Sequence, residues 1–84
     1  MIKSKITQNI YLLLNKLRPI NKNIKKNFNE FNFFDSGHLD SFEILKFNLL
    51  LEKKFKIKLS PKEITSEKYK TIIGLTNIIY RKLN

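Results

Sequence analysis

The residues with the clearest chemical potential are a serine hydroxyl and the carboxylate beside it, set where a loop turns into a helix. The run Asp35-Ser36-Gly37-His38-Leu39-Asp40-Ser41-Phe42 leads straight into a long apolar segment. A helix start leaves backbone N–H groups unpaired and carries the positive end of the macrodipole, so an anion attached there is stabilised. Ser41 is therefore well placed to carry a phosphodiester permanently. His38, two residues before Asp40 and three before Ser41, invites a Ser/His/Asp hydrolase reading. A triad, however, needs a base held against the serine by tertiary structure and an oxyanion hole, and adjacency in sequence supplies neither. Glu43 and Glu52 are no acid/base pair, because nine helical residues separate them by about 13 Å. With no cysteine and a single histidine, His38, ordinary zinc chemistry has no ligand set without carboxylates gathered around that ring. The readable chemistry is attachment, and no catalytic residue is assigned.

The elements that must position Ser41 read as helices. Ile2, Ile6, Ile10, Leu13, Leu14 and Leu17 recur at helical spacing and predict a first amphipathic helix ending near Arg18-Pro19. Proline there removes an amide donor and disfavours helix in the residue before it. Residues 19–40 show no period but contain Phe28, Phe31, Phe33 and Phe34, which predicts a long loop pinned across the helices. Asp40 or Ser41 caps a second helix running to about Phe55. Projected at about 100° per residue, Ile44, Leu45, Phe47, Leu49, Leu51 and Phe55 fall in one broad arc with Asn48 and Glu52. The opposite arc holds Phe42, Glu43, Lys46, Leu50, Lys53 and Lys54, leaving Phe42 and Leu50 as apolar residues on the solvent side. Ser60-Pro61-Lys62-Glu63 has the form of a capping box and predicts a short helix or turn that Ser66 to Tyr69 extend. Thr71 caps a last helix with Ile72, Leu75, Ile79 and Leu83 as its stripe. The fold class expected is all-α: a small four-helix bundle with three longer helices, one short one, and a long loop between the first two.

Eighty-four residues make one domain, 1–84, and without cysteine its core must come from Ile, Leu and Phe. The N-terminal apolar run, Ile10 to Leu14 with Tyr11 inside, is too short for a signal-peptide core, and nothing approaches a membrane-spanning length. A cytoplasmic protein without stable membrane insertion is the expectation. The net charge of +10 raises nucleic acid or an anionic membrane as partners. Its distribution tempers that: residues 1–34 carry +6 and residues 56–84 carry +5, whereas residues 35–55, around the serine, carry −1. Lys, Asn, Ile and Phe together make up just over half of the chain. An A/T-rich coding sequence produces such a bias, which explains many lysines without a ligand, so no nucleic acid is expected as partner.

At Asp40-Ser41-Phe42 the chain resembles the acyl carrier and peptidyl carrier family of small phosphopantetheine-binding proteins. The wider run from Phe34 to Phe42 is most similar to the discrete D-alanyl-carrier-like branch. The likeness continues through the second helix to Phe55, then Ile57, the Ser60-Pro61-Lys62-Glu63-Ile64 turn, and Tyr69-Lys70-Thr71-Ile72. The first helix and the Asn/Lys-rich loop agree by position and pattern only. The resemblance implies an acyl-carrier-type bundle, active as a monomer after a phosphopantetheinyl transferase moves 4'-phosphopantetheine from coenzyme A onto Ser41. Asp40 would help cap the helix and contribute to transferase recognition. The arm's thiol would hold an acyl or aminoacyl group as a thioester, loaded by a ligase or acyltransferase and passed to a downstream acyl-accepting enzyme, as in fatty acid or secondary metabolite biosynthesis. Short acyl chains would slip between helices past Ile44, Leu45, Phe47 and Ile72, although the plainer role of these residues is core.

By the same resemblance Phe42, Glu43, Lys46 and Leu50 occupy partner-docking positions. Here the chain departs from the pattern: fatty-acid carriers place acidic residues where this sequence has Lys46, Lys53 and Lys54. Complementary charge steers encounter and penalises wrong partners, so dedicated enzymes with neutral or acidic docking sites are expected. Two alternatives come from other classes. One is a basic helical nucleic-acid-binding protein using the first and last helices. The other is a carrier-fold structural or regulatory subunit without the arm, against which the intact Asp40-Ser41 argues.

Overall fold

The computed structural model describes residues 1–20 and 29–83; Phe28, one of the four expected pinning phenylalanines, lies outside them. The described chain is a small all-α bundle of four helices: α1 (Lys3–Leu17), α2 (Ser41–Phe55), the short α3 (Pro61–Ile64) and α4 (Ile72–Leu83). None of them is long and apolar enough to cross a membrane.

Helix α1 buries Ile6, Thr7, Ile10 and Leu14, a stripe at spacings of three and four. It ends where expected: Arg18 leaves the helical region with its N–H still donating to the Leu14 carbonyl at 3.0 Å, and Pro19 follows. Just beyond, the Asn15 side chain accepts from the Ile20 N–H at 2.8 Å and draws Ile20 into the core. The buried Thr7 and Thr76 hydroxyls are hydrogen bonded at 2.9 Å, and the Lys3 ammonium lies over the Tyr80 ring, so α1 and α4 run antiparallel. Helix α4 buries Ile72, Leu75, Thr76 and Ile79, with Leu83 half-buried at its end. Each such fully buried Ile, Leu or Phe contributes about 1.5–3 kcal/mol.

Ser60 caps α3 in a reciprocal box with Glu63, as its residue types require. The helix does not continue through Ser66. The Thr65 and Ser66 hydroxyls take the Pro61 and Glu63 carbonyls at 2.8 and 2.7 Å, which competes with helix propagation. A separate 3-10 turn, Glu67–Lys70, follows. Thr71 then caps α4, its hydroxyl accepting from the Gly74 N–H at 3.1 Å.

The loop is pinned by Phe33. Its ring is fully buried, edge-on to Phe47 at 5.3 Å and to Tyr69 at 5.7 Å, while its N–H donates to the Lys70 carbonyl beside an isolated antiparallel bridge between Asn32 and Thr71. Phe31 is half-buried, and Phe34 is 39% exposed. Burial pushes the Tyr69 phenol well above its usual range, so its hydroxyl stays protonated and donates to the buried Asn48 side chain.

On α2 the broad apolar arc expected from projection is too wide. The buried face is Ile44, Phe47, Asn48, Leu51 and Phe55. Leu45 and Leu49, expected inside, are 62% and 66% exposed, and Leu50, expected in solvent, is half-buried. Leu45 and Leu49 stand about 100° and 140° round the helix from Ile44, beyond the reach of the core. Lys56 closes α2 in the left-handed region at φ 55°, a conformation that costs a non-glycine residue of order 1 kcal/mol.

Candidate functional site

The loop from Asn32 to Leu39 delivers the start of α2. The Asn32 side-chain oxygen accepts from the Phe34 and Asp35 N–H groups at 3.1 and 2.7 Å, and its amide donates to the Asp35 carboxylate at 3.1 Å. Gly37 turns the chain at φ 76°, where a side chain would be strained. Leu39 then plugs into the core, its N–H toward the Phe33 carbonyl, and leaves Asp40 at the surface. Lys70 braces this loop from outside through ion pairs of 3.2 Å to Asp35 and Glu67. Hydrogen bonds from those two carboxylates, Asp35 foremost, hold the Lys70 ammonium pKa above its ordinary value.

Asp40, not Ser41, is the cap. Its carboxylate accepts from the Glu43 N–H at 2.8 Å, and the Glu43 carboxylate accepts from the Asp40 N–H at 3.1 Å. Arg18, at the end of α1, grips the same Glu43 carboxylate with Nε and Nη2 at 3.0–3.3 Å. The Asp40 backbone hydrogen bond and then the Arg18 hydrogen bond hold the Glu43 carboxyl below its ordinary pKa. The first turn of α2 is thereby clamped to the end of α1. Sequence reasoning missed Arg18, because nothing local relates it to a glutamate 25 residues on.

Ser41 is the first residue of α2 and is exposed. Among the described residues its hydroxyl makes no hydrogen bond, so the oxygen is free for chemistry. It stands on the rim of a cleft of about 550 Å³ lined by Phe34, Leu39, Asp40, Ser41, Ile44, Leu45 and Ile64. Of the four residues expected to line an acyl slot, Ile44 and Leu45 face this cleft, whereas Phe47 and Ile72 are fully buried core. Phe34 and Ile64 carried no sequence signal for the cleft; the fold brings them from the loop and α3 to line it with residues of α2.

His38 is occupied elsewhere. Its Nε2 is hydrogen bonded to the Arg18 carbonyl at 2.9 Å, and its ring stands edge-on to Phe31 at 5.1 Å. Of the expected docking residues, Phe42 is 74% exposed and Lys46 is exposed. Glu43 is turned into the cap and the Arg18 pair, and Leu50 is half-buried. Among the described residues no cluster of His, Asp and Glu is arranged to hold a metal ion. Comparison with protein-family models and with curated protein sequences finds no match to this chain.

Proposed function

We propose that this chain is a carrier protein of the acyl- and peptidyl-carrier kind, working as a cytoplasmic monomer with no catalytic activity of its own. One observation supports the reading above others. Ser41 presents an unpaired, solvent-exposed hydroxyl on the first turn of a 15-residue helix, at the rim of an apolar cleft. The residues fit 4'-phosphopantetheine: the hydroxyl offers the attachment oxygen, the helix start stabilises a phosphodiester, and Phe34, Leu45 and Ile64 offer apolar surface beside it. In attachment the Ser41 oxygen forms a bond to phosphorus and loses its proton, while the nucleotide part of coenzyme A departs. The thiol of the arm supplies thioester chemistry. Tethering raises the effective concentration of an acyl or aminoacyl cargo at the loading enzyme and at the acceptor. Asp40 and the Arg18-clamped Glu43 hold the first turn still, so the serine is offered to the transferase in one geometry.

The test is incubation with coenzyme A, magnesium and a broad-specificity phosphopantetheinyl transferase, followed by intact-mass measurement. The wild type gains the mass of one phosphopantetheinyl group and Ser41→Ala gains none. An unmodified wild type, or equal labelling of Ser41→Ala, overturns the proposal. Binding of nucleic acid with a steep salt dependence by the unmodified chain would favour the basic alternative instead.

A further inference from the structure

Cations gather where α1 begins and α4 ends. A hollow of about 360 Å³ is lined by Lys3, Lys68, Asn77, Tyr80 and Arg81, drawn from α1, the 3-10 turn and α4. Helix α1 is 15 residues long, about 22 Å, and its other end meets α2 through Arg18, so this hollow is remote from Ser41. The Lys3 ammonium lies 5.0 Å from the centroid of the Tyr80 ring, which steadies it at the wall. Lys3, Lys68 and Arg81 are exposed and in no ion pair among the described residues. The half-buried Asn77 side chain makes no hydrogen bond among them either. No carboxylate lines the hollow, and neither α4 nor the first turn of α1 contains one. Glu67, beside Lys68 in sequence, is paired with Lys70 at 3.2 Å. Three like charges facing one concavity repel one another, and among the described residues none supplies an anion to offset them.

We infer that this hollow is a binding site for a phosphate group carrying two or more negative charges, a phosphomonoester or a pyrophosphate. Donor geometry selects phosphate. A carboxylate offers two oxygens in one plane, whereas a phosphate spreads its oxygens over a tetrahedron and can meet donors arriving from three elements at once. Arg81 supplies a fork suited to two of those oxygens, Lys3 and Lys68 supply point charges, and the Asn77 amide supplies a neutral donor. Size selects a compact ligand. The hollow is at the small end for ligand sites, and its aromatic wall already has Lys3 over it, which leaves little apolar surface for a base or an acyl chain. An extended polyanion is disfavoured. Lys68 and Arg81 also wall a neighbouring hollow, but that one holds Glu63, paired with Lys82 at 2.9 Å. The attraction is therefore concentrated in one concavity, and it does not depend on the carrier reading.

The experiment is a titration of isotope-labelled full-length protein at constant ionic strength, followed by amide chemical shifts. The probes are pyrophosphate, acetate, vesicles containing phosphatidic acid or phosphatidylglycerol, and a single-stranded DNA oligonucleotide without a terminal phosphate. Pyrophosphate is expected to bind at least about tenfold more tightly than acetate, with shifts centred on Lys3, Lys68, Asn77 and Arg81 and weakening as salt is raised. Arg81→Gln, and separately Lys3→Gln with Lys68→Gln, should each weaken pyrophosphate at least about tenfold. Lys53→Gln with Lys54→Gln removes two charges from α2 instead and should change the affinity by less than about twofold. All of these side chains are exposed, so each variant should keep the far-UV circular dichroism of the wild type. Phosphatidic acid vesicles that compete for the same residues, where phosphatidylglycerol vesicles do not, would place the phosphomonoester on a lipid; pyrophosphate binding with neither vesicle identifies a soluble ligand. Acetate binding as tightly as pyrophosphate, no binding of pyrophosphate, shifts centred elsewhere or equal weakening by the α2 pair would overturn the inference. So would equal binding of both vesicles, or tighter binding of the oligonucleotide.

Discussion

Truncating Asp40 tests the physical basis of the site. Asp40→Ala removes the 2.8 Å hydrogen bond from the Glu43 N–H and one negative charge from the start of α2. It leaves the other half of the box: the Asp40 N–H still donates to Glu43, which Arg18 continues to hold. Loss of a capping side chain costs about 0.5–2 kcal/mol, of which about 0.3–1 kcal/mol is charge acting on the macrodipole. With half of the box retained, the expected loss is about 1 kcal/mol, which lowers the melting midpoint of a domain this small by about 4–8 °C. Asp40→Asn keeps an acceptor in place and loses only the charge, so it should cost half of that or less. Urea unfolding followed by far-UV circular dichroism at neutral pH should show both midpoints shifted with an unchanged slope. Hydrogen exchange at the Glu43 amide should quicken in Asp40→Ala and hardly change in Asp40→Asn. Two results would refute the reasoning. If Asn is as damaging as Ala, charge and not the hydrogen bond carries the effect; if Ala is silent, the box does not hold the first turn.

Two further perturbations probe how the site is supported. In an isolated helix Gly74→Ala would gain about 1 kcal/mol, but here the added Cβ would sit 1.9 Å from the Lys68 carbonyl oxygen, so we expect a net loss of about 1–3 kcal/mol in thermal melts. A stabilised Gly74→Ala would mean that the 3-10 turn does not pack against α4 as described. The second perturbation is pH. Glu43 has a folded pKa below its ordinary 4.5, so its contribution to stability is present above that value and is lost as pH falls through the folded pKa. The stability gap between wild type and Glu43→Gln should therefore be open at neutral pH and close as the solution is acidified below 4.5. A gap that persists unchanged into strong acid, read from urea midpoints across the pH range, would show that the Arg18–Glu43 charge pair does not contribute as argued.

Much of the frame is local and was legible for that reason. A helix start is decided within four residues, by a side-chain acceptor and its reciprocal partner. Asp40 or Ser41, Ser60 with Glu63, and Thr71 therefore marked three of the four helix starts, with the structure choosing Asp40, and Pro19 marked the end of the first helix. The position of Ser41 at the head of α2 follows from the same short-range rule. That the loop is pinned was readable from its phenylalanines, but only the structure singles out Phe33 as the buried pin and leaves Phe34 exposed.

What the chain order alone left open is which way α2 faces. Leu, Ile and Phe occur almost all the way round that helix, so its period is weak and several rotations bury comparable apolar area. Packing on α1 and against the Phe33 and Tyr69 rings selects the rotation that buries Ile44, Phe47, Asn48, Leu51 and Phe55 and turns Leu45 and Leu49 outward. The Arg18 clamp on Glu43, the cleft wall from Phe34 and Ile64, and the carbonyl that leaves no room beside Gly74 likewise join residues from separate segments. Capping is a contest among neighbours along the chain, whereas a helix's orientation is settled only by the surfaces it meets in space.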